Sequence, residues 1–121
     1  MKKTLLVGAT ADPSRYAYLA AKMLSERGIE FVPIGIHKGE VFGHEIVDLR
    51  TKPDIEGVDT ITLYINPSHQ EEWMDYLIGL KPKRIIFNPG TENPDFFNMA
   101  KEAGVEALPA CNLVLLSTGQ F

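Results

Sequence analysis

The chain has 121 residues and a mass of 13.5 kDa, the size of one compact domain spanning 1–121. Apolar residues make up 45% and charged residues 23%, the ordinary mixture of a soluble globular protein, and a net charge of −4 argues against attraction to bulk nucleic acid or an anionic membrane. The single cysteine, Cys111, excludes an internal disulfide framework and any multi-cysteine zinc site.

The apolar runs are too short for a membrane span, and the stretch after Met1-Lys2-Lys3 is too short for a secretory core, so a cytoplasmic protein is expected. Leu5-Leu6-Val7-Gly8 reads as a buried strand stopped by a glycine. Tyr16, Leu19, Ala20, Met23 and Leu24 then recur at helical spacing, closed by Gly28. Phe31-Val32-Pro33-Ile34 is the second strand, and its proline removes a ladder donor, which places that end beyond regular pairing. A loop with Gly35, Gly39 and Gly43 leads to the third strand, Thr60 to Ile65.

Ser68 with Glu71 three residues later reads as a capping box for a helix carrying Trp73, Tyr76, Leu77 and Leu80. Arg84 to Phe87 is the fourth strand. Asn93 followed by Pro94 opens a helix ending near Gly104, and Val105 to Leu108 is the fifth strand. The apolar tail Leu113 to Ser117 packs on the domain as a helical turn or a strand.

Strands alternating with helices predict an α/β three-layer sandwich: a five-stranded parallel sheet of order 3-2-1-4-5 with helices on both faces. Such sheets bind ligands beyond the carboxyl ends of the strands, where strand order reverses. Here that is the turn Gly8 to Arg15. Gly8 permits the turn, Ala9, Thr10 and Ser14 leave room for an anion at backbone N–H groups, Ser14 is placed to cap the helix, and Arg15 adds a planar donor fork.

Thr10 and Pro13 stand where dinucleotide enzymes have the second and third glycines of G-x-G-x-x-G. The end of the second strand, Pro33-Ile34-Gly35-Ile36-His37-Lys38, carries no carboxylate for a ribose diol. A cation there, Lys38 or protonated His37, suits a phosphorylated ribose, as in NADP or coenzyme A.

The chain resembles the small CoA-binding proteins, whose single domain is similar to the CoA-binding domain of the succinyl-CoA synthetase α subunit. The resemblance rests on Val7-Gly8-Ala9-Thr10 with Pro13-Ser14-Arg15-Tyr16, Val32-Pro33, Gly43, Val58-Asp59, Pro67, Gly90-Thr91-Glu92-Asn93, Ala100 to Gly104, and Cys111. It implies a Rossmann-like fold that binds CoA, and no assigned catalysis. Three places depart from the family pattern: Ile34-Gly35-Ile36 replaces Val-Asn-Pro, Tyr64-Ile65-Asn66-Pro67 lacks an arginine, and Pro109-Ala110-Cys111 replaces Asp-Arg-Cys.

The expected function is therefore a non-catalytic nucleotide-cofactor binding protein, with CoA or acyl-CoA as cofactor. Thr10, Ser14 and Arg15 would hold the pyrophosphate, Lys38 the 3′-phosphate, Pro33 and Ile34 the adenine, with Ile65 and Pro67 opposite. The alternatives are an interaction module that has lost its ligand, acting through a homodimer or a protein partner, or an NADP-linked or acyl-transfer enzyme using His69 or Cys111. His69 reads as an exposed first-turn residue, since no partner group is identifiable. His37 and His44 lack metal-ligand spacing. Cys111 reads as structural, Glu92 and Asn93 as turn and N-cap, and Trp73 and Tyr76 as core.

Overall fold

The structure, a computed structural model, describes residues 3–121. Its central strand, β1 (Lys3–Val7), sends alternate side chains to opposite faces, so that Leu5 and Val7 enter one core and Leu6 the other. From β1 the chain crosses through α1 (Tyr16–Glu26) to β2 (Phe31–Gly35). There follow a small hairpin, β3 (Glu40–Val41) and β4 (His44–Glu45), and a short strand, β5 (Val47–Asp48). The chain then returns to the other side of β1 as β6 (Val58–Leu63), continuing through α2 (Glu71–Gly79), β7 (Arg84–Phe87), α3 (Pro94–Glu102), β8 (Glu106–Pro109) and α4 (Asn112–Ser117).

The main sheet is parallel, in the order β5-β2-β1-β6-β7-β8. With β5 counted third, this is the order 3-2-1-4-5 with a sixth strand added. The expectation is corrected in one respect: the run taken as the third strand pairs with β1, with Thr4 to Val7 opposite Thr60 to Leu63, and does not lie outside β2. The two residues of β5 fill that edge instead. So short a strand leaves no periodic signal in the sequence.

The α1 face of the sheet packs Leu6, Ala20, Ala21, Leu24, Phe31 and Leu116, together with Val41 and Ile46 of the connection after β2. The α2 and α3 face packs Leu5, Ile61, Leu63, Trp73, Ile85 and Phe96. On that face the rings of Phe87 and Phe96 meet edge to face at 5.3 Å. The β3–β4 turn, Phe42-Gly43, has positive φ at both residues, 47° and 84°, as a two-residue hairpin turn requires. Phe42 lies against Tyr18 of α1, with ring centroids 5.0 Å apart.

Pro33 sits inside β2, paired in register with Leu6, not beyond the pairing as expected. The Glu30 carbonyl accepts from Thr4 and the Ile34 carbonyl from Gly8 and Ala9, so even-numbered residues of β2 face β1 and Pro33 turns its nitrogen to the other edge. There β5 reaches only Ile34 and Gly35, and no ladder donor is lost.

Two expected caps are also corrected. Ser68 does not cap α2; Asn66 accepts its N–H at 3.0 Å, and a 3-10 turn over Pro67–His69 precedes the helix. Asn followed by proline starts that turn earlier than a capping box at Ser68 would. Ser14 does not cap α1 either, because its N–H and hydroxyl both donate to Asp12. Asn93 caps α3 as expected, accepting from Asp95 and Phe96. The C-terminal tail is the helix α4.

A Cβ on Gly35 would lie 2.9 Å from the Ala9 carbonyl oxygen and 3.2 Å from its nitrogen, both backbone atoms that cannot swing away. Gly35→Ala is expected to destabilise the fold by about 1–3 kcal/mol, the range for overpacking. Gly104 has φ +80° but open space around it, so Gly104→Ala is expected to cost about 1 kcal/mol from backbone strain alone. Urea unfolding of the two variants measures the difference.

Candidate functional site

The chain leaves β1 for β2 on one side, while β6 takes the other side, and the carboxyl ends of these strands diverge around a cleft of about 750 Å³. One wall is the first turn. Gly8, at φ +94°, brings the chain so close to Tyr64 that a Cβ would lie 3.0 Å from the Tyr64 carbonyl carbon. The N–H groups of Gly8 and Ala9 both donate to the Ile34 carbonyl, at 2.9 and 3.1 Å. These small residues therefore serve close approach of chain to chain, not of chain to ligand.

Further along, Asp12 N–H donates to Thr10 Oγ1, Ser14 N–H to Asp12 Oδ1, and Arg15 N–H to the Asp12 carbonyl. Five amides of the turn are thus already bonded inside the protein, and the broad anion seat expected there is narrower. Among the described residues, the N–H groups of Thr10, Tyr16 and Ala17 have no acceptor, and all three residues line the cleft. The last two open α1, where the helix dipole favours negative charge. Arg15 lines the cleft beside them. Asp12 opposes an anion here. The Ser14 hydrogen bonds hold its carboxyl below the ordinary carboxylate range, with Arg15 adding to the effect, so it is charged at neutral pH.

The opposite wall comes from Ile65, His69 and Glu72, with the Pro89-Gly90-Thr91 turn after β7 and Trp73 of the core. Gln70, buried, holds this wall together: its side-chain amide donates to the Ile65 and Thr91 carbonyls at 2.8 Å and accepts from Asn93 at 3.1 Å. Asn88, also buried, donates to Thr62 Oγ1 and to the Leu63 carbonyl, and accepts the Asn112 N–H at 2.7 Å. It ties β6, β7 and α4 behind the cleft. The only sign of such a role in the sequence is a polar residue ending an apolar strand just before Pro89-Gly90. Tyr64 lines the cleft, but burial pushes its phenol well above the ordinary value.

Of the residues singled out from sequence, Gly8, Ala9, Thr10, Arg15 and Ile65 come together in the cleft. Pro13, Ser14 and Pro67 do not line it. Pro33 is buried in the sheet and Ile34 is wholly buried in the core; Ile36, half exposed, lines the cleft in their place. Lys38 lies in a second groove of about 590 Å³ that shares Gly35, Ile36 and His37 with the first. Cys111 is half-buried at the start of α4, outside the cleft lining. Glu92 accepts the Gly90 N–H at 2.7 Å, a turn contact, and the His44 ring lies tilted against Phe31, with centroids 4.4 Å apart.

A family model described as a CoA binding domain matches residues 2–117. The chain belongs to this family. An uncharacterized protein known from its crystal structure is 54% identical, over 100% of this chain and 98% of its own, with a TM-score of 0.95. A Thermus thermophilus protein is 26% identical over 99% of this chain and 90% of its own, with a TM-score of 0.82. A conserved hypothetical protein of Pyrococcus furiosus is also 26% identical, over 94% of this chain and 98% of its own, with a TM-score of 0.81. No curated protein matches. No helix among the described residues of this CoA-binding-domain protein is long and apolar enough to cross a membrane.

Removing the Asn88 side chain leaves the Leu63 carbonyl short of a donor and the buried Asn112 N–H without its acceptor. Asn88→Ala is expected to lower stability by about 2–4 kcal/mol, read as a fall in the urea midpoint at unchanged slope.

Proposed function

We propose that this single domain is a non-catalytic nucleotide-cofactor binding protein whose ligand is coenzyme A or an acyl-CoA. The observation that carries the reading is the set of open amides at Thr10, Tyr16 and Ala17, residues that line one cleft with Arg15 at the point where strand order reverses. Membership of the CoA-binding-domain family supports the same ligand. The cleft and its adjoining groove are each of a size that takes a cofactor fragment.

In this reading the pyrophosphate lies on those amides and on Arg15. The adenosine crosses Gly35 to His37, with Ile36 as its apolar wall in the role first given to Pro33 and Ile34. Lys38 meets the 3′-phosphate. The pantetheine arm runs between Ile65 and the Pro89–Thr91 turn. Two features favour binding without catalysis. The His69 side chain has no hydrogen-bond partner among the described residues that would orient it as a base, and Cys111 lies off the cleft.

Calorimetry with CoA tests this. Arg15→Gln is expected to weaken binding about tenfold through the loss of one charge-assisted contact. Asp12→Asn keeps an acceptor for Ser14 while removing the opposing charge, and is expected to tighten binding by about threefold to tenfold. CoA at a hundred times its dissociation constant adds about 2.7 kcal/mol to stability. Absence of both heat and thermal shift with CoA and acetyl-CoA would reject the cofactor reading in favour of an interaction module.

A further inference from the structure

The second groove opens off the cleft across Gly35, Ile36 and His37, and Lys38, Glu45, Asp48 and Arg50 line it. Asp48 ends β5 directly opposite Gly35, the last residue of β2. In sheets of this kind that position, at the carboxyl end of the second strand, holds the group that reads the adenosine ribose. The segment directly after β2, Ile36 to Gly39, carries no carboxylate; the neighbouring strand supplies one.

That carboxylate is already engaged. Asp48 Oδ1 accepts from the Arg50 N–H and Nε, each at 2.9 Å, and Oδ2 accepts from Nη2 at 3.1 Å. These bonds hold the Asp48 carboxyl below its ordinary range and the Arg50 guanidinium above its own, so the pair stays ionised at neutral pH. A guanidinium has two edges that can donate in parallel. Asp48 takes the Nε/Nη2 edge, and the Nη1/Nη2 edge has no acceptor among the described residues. A free ribose diol needs an unoccupied carboxylate; here the carboxylate aims a cation instead.

Building on the CoA reading above, we propose that Arg50, oriented by Asp48 and joined by Lys38, recognises a phosphate monoester on the adenosine ribose. Arg50 is the binding residue and Asp48 a positioning residue. The groove thereby selects 3′-phosphorylated adenine nucleotides over unphosphorylated ones. Because Glu45 and Asp48 offset the charges of Lys38 and Arg50, the selection comes from directed hydrogen bonds and not from net attraction.

Calorimetry with CoA and 3′-dephospho-CoA on the full chain decides the matter. The wild-type protein is expected to prefer CoA by about tenfold or more. Arg50→Gln is expected to remove about tenfold of CoA affinity while leaving 3′-dephospho-CoA unchanged, and Arg50→Lys, which keeps the charge but not the fork, to fall between. Asp48→Asn is expected to narrow the ratio of the two affinities without altering 3′-dephospho-CoA binding, an effect that a purely structural role would not produce. Equal wild-type affinity for both ligands, or an Arg50→Gln variant that leaves the ratio unchanged, would overturn the assignment while the cofactor reading stands. Failure of both ligands to bind would overturn the cofactor reading, and this assignment with it. Should Arg50→Gln not fold, the Arg50→Lys ratio decides by the same criteria.

Discussion

The cleft depends on one backbone contact, that of Ala9 against Gly35. The Ile34 carbonyl accepts two amides from the start of the first turn, and the missing side chain at Gly35 lets the two segments touch. Once this contact forms, the course of residues 8–15 is set, and with it the place where α1 begins. Arg15 and the first two residues of α1, whose amides have no acceptor among the described residues, then line the cleft.

The same constraint explains why so few donors remain for a ligand. A turn held this tightly satisfies most of its own amides, and Asp12 completes the set with a charge of its own. What remains is a narrow anion seat flanked by a carboxylate, unlike an open glycine-rich cradle. Behind it, Gln70 and Asn88 lock the facing loops to the sheet with fully used side-chain amides. The arrangement is preorganised, with polar positions fixed before any ligand arrives.

The parts legible in the sequence were those governed by local rules. Leu5 to Val7 and Arg84 to Phe87 are apolar runs of strand length, and Asn93-Pro94 is a strong helix start; the structure places all three as expected. Misreadings arose where two local rules competed or where the signal was tertiary. Asn66-Pro67 outranks Ser68 as a starter because the first Asn–Pro pair in the chain direction captures the turn. Ile34 reads as a ligand wall, but it is still within β2 and points into the core, whereas Ile36 lies past the strand's end at Gly35 and is left outside. The β5 strand has only two residues, so neither its place in the sheet nor the approach of Asp48 to Gly35 could be read from spacing.

The two margins of the main sheet have a consequence for how the molecule behaves among copies of itself. One margin is β5, only two residues long; the other is β8, which starts at exposed Glu106 and stops at exposed Pro109. A foreign strand would find too few free peptide groups on the first, and on the second a charge at one end and a missing donor at the other. Short or blunted borders of this kind resist templated strand addition. The architecture thus carries its own guard against fibrillar growth, independent of whatever occupies the cleft.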